Sequence, residues 1–589
     1  MLGTPDEEAL MAYFKKHQIS RRTVIIGGAV VVVAGATAAY MAFTPGAQPE
    51  PEPRSTQPTT PPPSQPIVTP TAPTPSPEPK PPVTEPIEKG KLVIAIQDRM
   101  RSLNPVDFPP GGSGGPTVVK SYYENLSMND RSQAILGGAL IKVPLLALEV
   151  GPAFNFKTIR VNLRPGVTFH SGDKLTSEAI KTSLLDVYNT SRRYATFSPV
   201  QKVELLDELT ADVVWTKNSI TNWASLTHDT MPSIFNPNHV NGLDDIKELS
   251  TEVDGTGPFK VKESIPGVKL VLERNLDYYG DKLPDNEKTL HNKQAGNIHE
   301  VTYVTIREPA AQLTALEAGD VDVIANTPAS DVSRMLESPN IQVALTGTQS
   351  LLMLHINTVY KPLKDKRVRL ALAHAIDSAG LSNLFEGFFF VPDALLLPWH
   401  LGRDTNIKAV WPLDPGKSKT LLADAGYKDG FDMNLTPNSP PVERVTISSA
   451  VAAMFEGIGI PTSVEVLSRG AWRLLTQDQE QTTSHMHPVS AGFGTTIDYF
   501  RSSFLNGTRS RTGIDHPVIE DLMGKVSLEL DPAKRVPLYR EASKYVADEV
   551  LMLIPLNLQR AVSARKTVIN LEQGLWKGSG GFIPYRVSA

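Results

Sequence analysis

The chain has 589 residues, 40% of them apolar and 21% charged, the composition of a globular protein with room for several domains. Its net charge of -5 and the lack of a Lys/Arg-rich run argue against a nucleic-acid binder. Cysteine is absent, which excludes disulfides, thiolate metal sites, a cysteine nucleophile and a lipid-modified cysteine anchor.

Residues 24–43 carry no charge, and about 20 such residues suffice to span a bilayer core. Lys15, Lys16, Arg21 and Arg22 precede them, and the next basic residue is Arg54. This asymmetry puts residues 1–23 in the cytoplasm and the rest of the chain outside. The run Ser20-Arg21-Arg22-Thr23-Val24-Ile25 resembles a twin-arginine export signal, with Val24 where Phe is usual. An ordinary signal anchor whose two arginines only set topology fits the same residues. Ala36-Thr37-Ala38 has the small-x-small form of a signal-peptide cleavage site. With no cysteine to lipidate, retention of residues 24–43 as an anchor is favoured over cleavage. Residues 44–88 follow as a Pro/Thr-rich tract with about 17 of the 49 prolines. Such a tract cannot bury enough apolar surface to order itself, and reads as a disordered linker. At about 3.1 Å per residue it would reach on the order of 130 Å, making it a stalk; a glycosylated mucin-like tract is compatible with that.

The composition is globular from Lys89 onward. Residues 91–96 and 157–163 read as strands. Turn pairs Pro165-Gly166 and Ser171-Gly172 follow, then a helix starting at Thr176, with Glu178 in its first turn and Ile180, Leu184, Val187 and Tyr188 on one face. Further strands are expected at 213–215, 259–261 and 268–273. Residues 309–318 form a helix closed by Gly319, before a strand at 321–324. After a strand at 351–356, the helix 366–376 has Asp365 as cap and Val368, Ala371, Leu372, Ala375 and Ile376 as its buried stripe. Helices at 417–425 and 444–458, a strand at 462–467, a long helix to about 550 and a strand at 551–554 complete the pattern. Asp531-Pro532 is a good helix start, yet Pro537 conflicts with a continuous helix, so the helix begins near Pro537 or kinks there. Helices and strands mixed in this way indicate an α/β body of more than one lobe.

Several blocks in this body resemble the bacterial family 5, peptide/nickel-type solute-binding proteins of ABC importers. They include Ser102-Leu103-Asn104-Pro105, Tyr122-Tyr123-Glu124-Asn125-Leu126 and residues 163–184. Gly255-Thr256-Gly257-Pro258-Phe259-Lys260, Asp277-Tyr278-Tyr279-Gly280 and Ala315 through Asp322 follow in the family's order. The block from Asn357 to Asp377, with Asp365-Lys366-Arg367-Val368-Arg369, is the most specific, and Leu421 through Tyr427 and Arg535 through Ala547 complete the set.

The resemblance implies a periplasmic-binding-protein-like, class II two-lobed clamshell with an extra subdomain. The expected division is 89–305 for the first lobe with its subdomain, 306–550 for the second, and 551–589 for a return to the first. Crossings are expected near 301–306 and 551–555. The implied function is capture of a peptide or other small organic solute between the lobes, without chemistry, and delivery to an ABC permease and its ATPase. The body is expected to be monomeric, with no cofactor, no metal and no nucleic-acid partner.

The ligand-binding candidates implied by the resemblance are Gly492, Phe493, Gly494, Thr496, Asp498, Trp472, Asn357 and Thr256. Peptide binders of the family carry Gly-Trp near an acid; here the aromatic is Phe493 and the gapless match to the acid is Thr496, so Asp498 serves only if the loop is shifted. Asn357 reads as a turn cap more readily than as a cleft residue. His485 and His487 would share one face of a strand, too few ligands for a structural zinc site. Residues 111–115 are glycine-rich but open no clear helix, so they read as a loop rather than a phosphate cradle. A surface sensor or chaperone-like binder on the same fold, and a secreted hydrolase, are the alternative functions.

Overall fold

Two long strands, Ile341–Ile356 with 16 residues and Met552–Arg565 with 14, pair antiparallel in the middle of one ten-stranded sheet. The computed structural model describes residues 23–26, 29–34, 37–41, 90–97, 99–107, 118–130, 141–189, 200–227, 232–284, 298–439, 442–475, 484–492, 495–505, 516–569 and 586–587. The stalk expected at 44–88 and the glycine-rich residues 111–115 lie outside these.

The sheet order is Phe259–Ile265, Lys269–Arg274, Glu300–Thr305, Lys91–Ile96, Val323–Thr327, then the long pair, then Met486–Ala491, Met433–Leu435 and Thr462–Val464. At one end of the long pair, Ile341–Leu345 lie opposite Ala561–Arg565, beside Val323–Thr327. At the other end, Leu351–His355 lie opposite Met552–Asn557, beside Met486–Ala491. Between the two ends the register breaks at Leu345/Thr348 and again at Thr348/Ser350. Such irregularities bend a strand pair and increase its twist.

The two ends serve different cores. The first lobe packs Leu92, Ile94, Tyr122, Tyr123, Phe259, Tyr303 and Val323 with Val562 of the second long strand. The second lobe packs Leu352, Leu354 and Ile356 against Val368, Ala371 and Leu372 of the helix Lys366–Ala375 and against Ile447, Val451 and Phe455 of Val442–Gly457. Leu351–Ile356 and Met552–Leu556 are buried on both sides because helices cover both faces there, which is why their sequences are apolar apart from His355. A separate four-stranded sheet, ordered Ala147–Asn155, Thr158–Leu163, Thr210–Trp215 and Val200–Leu205, is the extra subdomain. Its core, with Ile159, Val161 and Trp215, is continuous with Phe500, Phe504, Leu522 and Tyr539 from the helices Thr496–Phe504, Pro517–Leu528 and Pro532–Asp548.

Most expected elements appear with small shifts of boundary. Asp365 caps Lys366–Ala375 by accepting from the Arg367 N–H at 2.8 Å, and the expected stripe is buried. Gly319 ends Pro309–Ala318 at φ 87°, a conformation glycine adopts without cost. The helix from Ser177 changes character: after Lys181 it widens into a π-helix over Thr182–Tyr188, with Ser183 Oγ bonded to the Ala179 carbonyl at 2.6 Å. Ile180, Leu184, Val187 and Tyr188 are nevertheless all buried, as the periodicity requires. Thr176 occupies the N-cap, but its side chain makes no capping bond. Pro532–Asp548 runs unbroken through Pro537, with Asp531 Oδ1 accepting from Ala533 N–H at 2.8 Å.

Two further features bear on the expected organisation. The proposed boundary at 305/306 falls between Glu300–Thr305 and Val323–Thr327, and both strands pair with Lys91–Ile96. The ten-stranded sheet therefore continues through 305/306. Within the apolar run 24–43, the backbone forms three antiparallel strands, Thr23–Ile26, Ala29–Ala34 and Thr37–Met41, as β-branched Val, Ile and Thr favour. Among the described residues no helix is long and apolar enough to cross a membrane.

Candidate ligand-binding cleft

On the first lobe, the glycine-rich turn is fixed by close approach. A Cβ on Gly255 would lie 1.9 Å from the Tyr122 carbonyl oxygen, and one on Gly257 would lie 2.6 Å from the Ser121 oxygen. Only glycine allows the turn to lie against the Tyr122-Tyr123-Glu124 segment. Between the two glycines, Thr256 is buried and donates its hydroxyl to Glu124 Oε2 at 3.0 Å. Glu124 Oε1 accepts from the Tyr278 hydroxyl at 2.7 Å and the Tyr279 hydroxyl at 3.2 Å. Burial pushes the Glu124 carboxyl up to about 7, against the lowering effect of these three hydroxyls. His170 joins the turn from the other side, its Nε2 lying 3.0 Å from the Gly257 carbonyl. Burial lowers its pKa to about 4. Thr256 is thus a tie inside the first lobe.

On the second lobe, one face of the sheet gathers four of the candidate residues. Residues opposite one another share a face, so Leu351–Ala491, Met353–Val489 and His355–His487 form successive rows. His355 and His487 are fully buried and their rings stack 5.5 Å apart. His355 Nε2 lies 3.2 Å from Ser503 Oγ on the helix Thr496–Phe504, and the Trp472 ring lies edge-on to His487 at 6.2 Å. Gly492 follows Ala491 directly, at the end of the strand nearest the crossing. Thr495 then caps the helix: its hydroxyl donates to Asp498 Oδ2 at 2.6 Å and accepts from the Asp498 N–H at 3.3 Å. Thr496, in the first turn, is buried and donates to the Leu401 carbonyl at 2.9 Å. Trp472 and the helix that carries Thr496 and Asp498 therefore pack on this face, and Gly492 follows directly after its edge residue Ala491. Phe493 and Gly494 lie outside the described residues.

Asn357 sits at the far end of the same strand, about 20 Å from Leu351 at 3.3 Å per residue. It is buried, donates to the Ser484 carbonyl at 3.1 Å and accepts from the Val359 N–H at 3.1 Å, which makes it the turn cap. His485 and His487 have separate partners: His485 stacks on Tyr360 at 3.7 Å and accepts from Asn434 N–H at 3.2 Å. Among the described residues no group of three or more His, Cys, Asp or Glu could hold a metal. Ser503 beside His355 has the form of a nucleophile and base, but both side chains have zero exposure, so no substrate reaches the hydroxyl.

Arg444 was not singled out by its sequence position. It lies in the first turns of Val442–Gly457, 9% exposed, with its guanidinium bonded to Asn438 Oδ1 and its Nε 3.3 Å from Ser490 Oγ. This places a cation at the crossing end of the second lobe, two residues from Gly492 through Ser490. The helix Val442–Gly457 is buried almost all round, which sets this arginine among core positions.

Two α/β lobes joined by a long strand pair, with one lobe carrying an extra subdomain, define a clamshell binding protein. The chain belongs to the bacterial extracellular solute-binding proteins, family 5: residues 143–512 match that family ("family 5 Middle"). Its role is that of an extracytoplasmic receptor for an ABC importer. The glutathione-binding protein GsiB of Escherichia coli strain K12 is 20% identical over 82% of this chain and 91% of that protein. The protein of that name in Pectobacterium atrosepticum is 25% identical over 66% of this chain and 71% of its own length. The crystal structure of the ABC transporter substrate-binding protein CtaP from Listeria monocytogenes covers 85% of this chain and 100% of its own, with a TM-score of 0.73 at 16% identity. DppA from Helicobacter pylori, in complex with the peptide STSA, covers 85% and 98% with a TM-score of 0.68 at 21% identity.

Proposed function

We propose that this receptor captures a short peptide or peptide-like solute between its lobes and releases it unaltered to a membrane permease. The observation that carries the solute class is the buried Arg444 guanidinium at the crossing end of the second lobe, beside Ser490 and Gly492. Its positive charge favours a solute carboxylate nearby, although its Nε and Nη1 are already bonded to Ser490 and Asn438. The matched relatives include proteins described as glutathione-binding and one held in complex with a tetrapeptide. Gly492, Phe493, Gly494 and Trp472 supply the second-lobe wall in this reading, Thr496 and Asp498 set the helix that backs it, and Thr256 and Asn357 hold turns.

The lobe boundary in this reading lies at the register breaks near 345–350 and 558–561 rather than at 305/306. The body stands outside the membrane, tethered by residues 24–43 and held off by the Pro/Thr-rich tract 44–88. The charge asymmetry around residues 24–43 supports this orientation. The deciding experiment is native mass spectrometry of what co-purifies with the chain, followed by calorimetric titration with glutathione and short peptides. Saturable binding with no turnover of the solute is expected. Conversion of the solute over a time course, or a co-purifying ligand without amide bonds, sinks the reading.

A further inference from the structure

Asn557 stands where the long strand pair passes from one lobe to the other. Its main chain is fully used: its N–H donates to the Phe390 carbonyl at 2.7 Å, and its carbonyl accepts from the Phe390 N–H at 3.0 Å. Both groups therefore point away from Leu351, its register partner on the other side. That makes Asn557 and Leu351 a non-hydrogen-bonded antiparallel pair, the kind in which side chains approach most closely. Leu351 pairs in turn with Ala491, the residue before Gly492. Ala491, Leu351 and Asn557 thus form one row across three strands, about 10 Å from end to end. Gln559 Nε2 donates to the Phe388 carbonyl at 2.6 Å and fastens the same flanking segment at a second point. The backbone under Asn557 is rigid.

Its side chain is the opposite case. Asn557 is 8% exposed, and its Oδ1 is buried and accepts no hydrogen bond among the described residues. Native proteins leave few buried acceptors without a donor, because the lost hydration is not replaced.

We propose that the Asn557 carboxamide binds a peptide unit of the captured solute, its Oδ1 accepting a backbone N–H. This rests on the peptide-like solute proposed above and names one residue that reads it. A carboxamide offers an acceptor and a donor in one plane, the complement of a peptide N–H and carbonyl. The 10 Å row to Ala491 matches about three residues of extended peptide.

The test is calorimetric titration of the full chain with glutathione and the dipeptide Met-Leu as probes, on wild type and Asn557→Leu. The substitution should weaken binding by roughly tenfold to a hundredfold, the loss of one buried hydrogen bond to ligand. The melting temperature without ligand should hold or rise, because an apolar group of similar size replaces an unsatisfied polar one. A purely structural asparagine would instead lower it. Unchanged binding by Asn557→Leu overturns the proposal and leaves the peptide reading standing. Binding of neither probe by wild type sinks that reading and this proposal together. If Asn557→Leu fails to fold, Asn557→Ala gives the same comparison.

Discussion

The Thr256 hydroxyl and the Glu124 carboxylate meet at 3.0 Å although 132 residues separate them in the chain. That bond ties the glycine-rich turn to the Tyr122-Tyr123-Glu124 segment, and it sets a pH response. Glu124 keeps its proton up to about 7 in the folded protein but loses it at ordinary carboxyl values when unfolded. Its contribution to stability is complete below the unfolded value and is lost as pH rises to about 7, by on the order of 3 kcal/mol. His170 works in the other direction. With its folded value lowered to about 4, its contribution is complete above the unfolded value near 6.5 and is lost as pH falls toward 4. Between about 4.5 and 6.5 the two slopes oppose each other. Glu124→Gln should expose the His170 slope, so that urea midpoints of the variant rise with pH across that window. A variant profile that falls with pH would contradict the assignment.

Gly255→Ala should be severely destabilising. Its Cβ would overlap the Tyr122 carbonyl at 1.9 Å, an obstacle of backbone rather than of a movable side chain. A loss of about 3 kcal/mol or more is expected by denaturant titration. Gly151→Ala, at a position with nothing within 4 Å, serves as the control and should change little.

Asp498→Ala removes the acid that accepts from Thr495 at the helix start. About 1 kcal/mol of stability should be lost, the usual size of a capping contribution. Affinity for glutathione should stay close to wild type, because the carboxylate is engaged by its own cap. A large loss of affinity with no loss of stability would make Asp498 a ligand contact instead.

Arg444→Gln should discriminate between probes. Peptides with a free terminal carboxylate should bind about ten- to a hundredfold more weakly, while their C-terminal amides should bind the variant and wild type alike. Equal losses for both would place the arginine's role in packing.

The parts of this architecture that were legible in the sequence are the locally determined ones. Asp365 with its stripe at Val368, Ala371 and Leu372, and Gly319 at the end of Pro309–Ala318, follow from capping and periodicity within a few residues. The central strand pair was not legible, since it depends on Ile341–Ile356 finding Met552–Arg565 some 200 residues later. Local pattern cannot report pairing at that range. The site divides in the same way. Gly492 and Trp472 stood out by type and order, whereas Asn557 looks like one polar residue in an apolar strand until its orphaned amide is seen in three dimensions.

The register breaks at Leu345/Thr348 and Thr348/Ser350 leave a narrow two-stranded ribbon between the two ends of the ten-stranded sheet. A ribbon of that kind yields by torsion about its own axis while every rung of its ladder stays made. Twisting there would reorient one end of the sheet against the other without breaking its backbone hydrogen bonds.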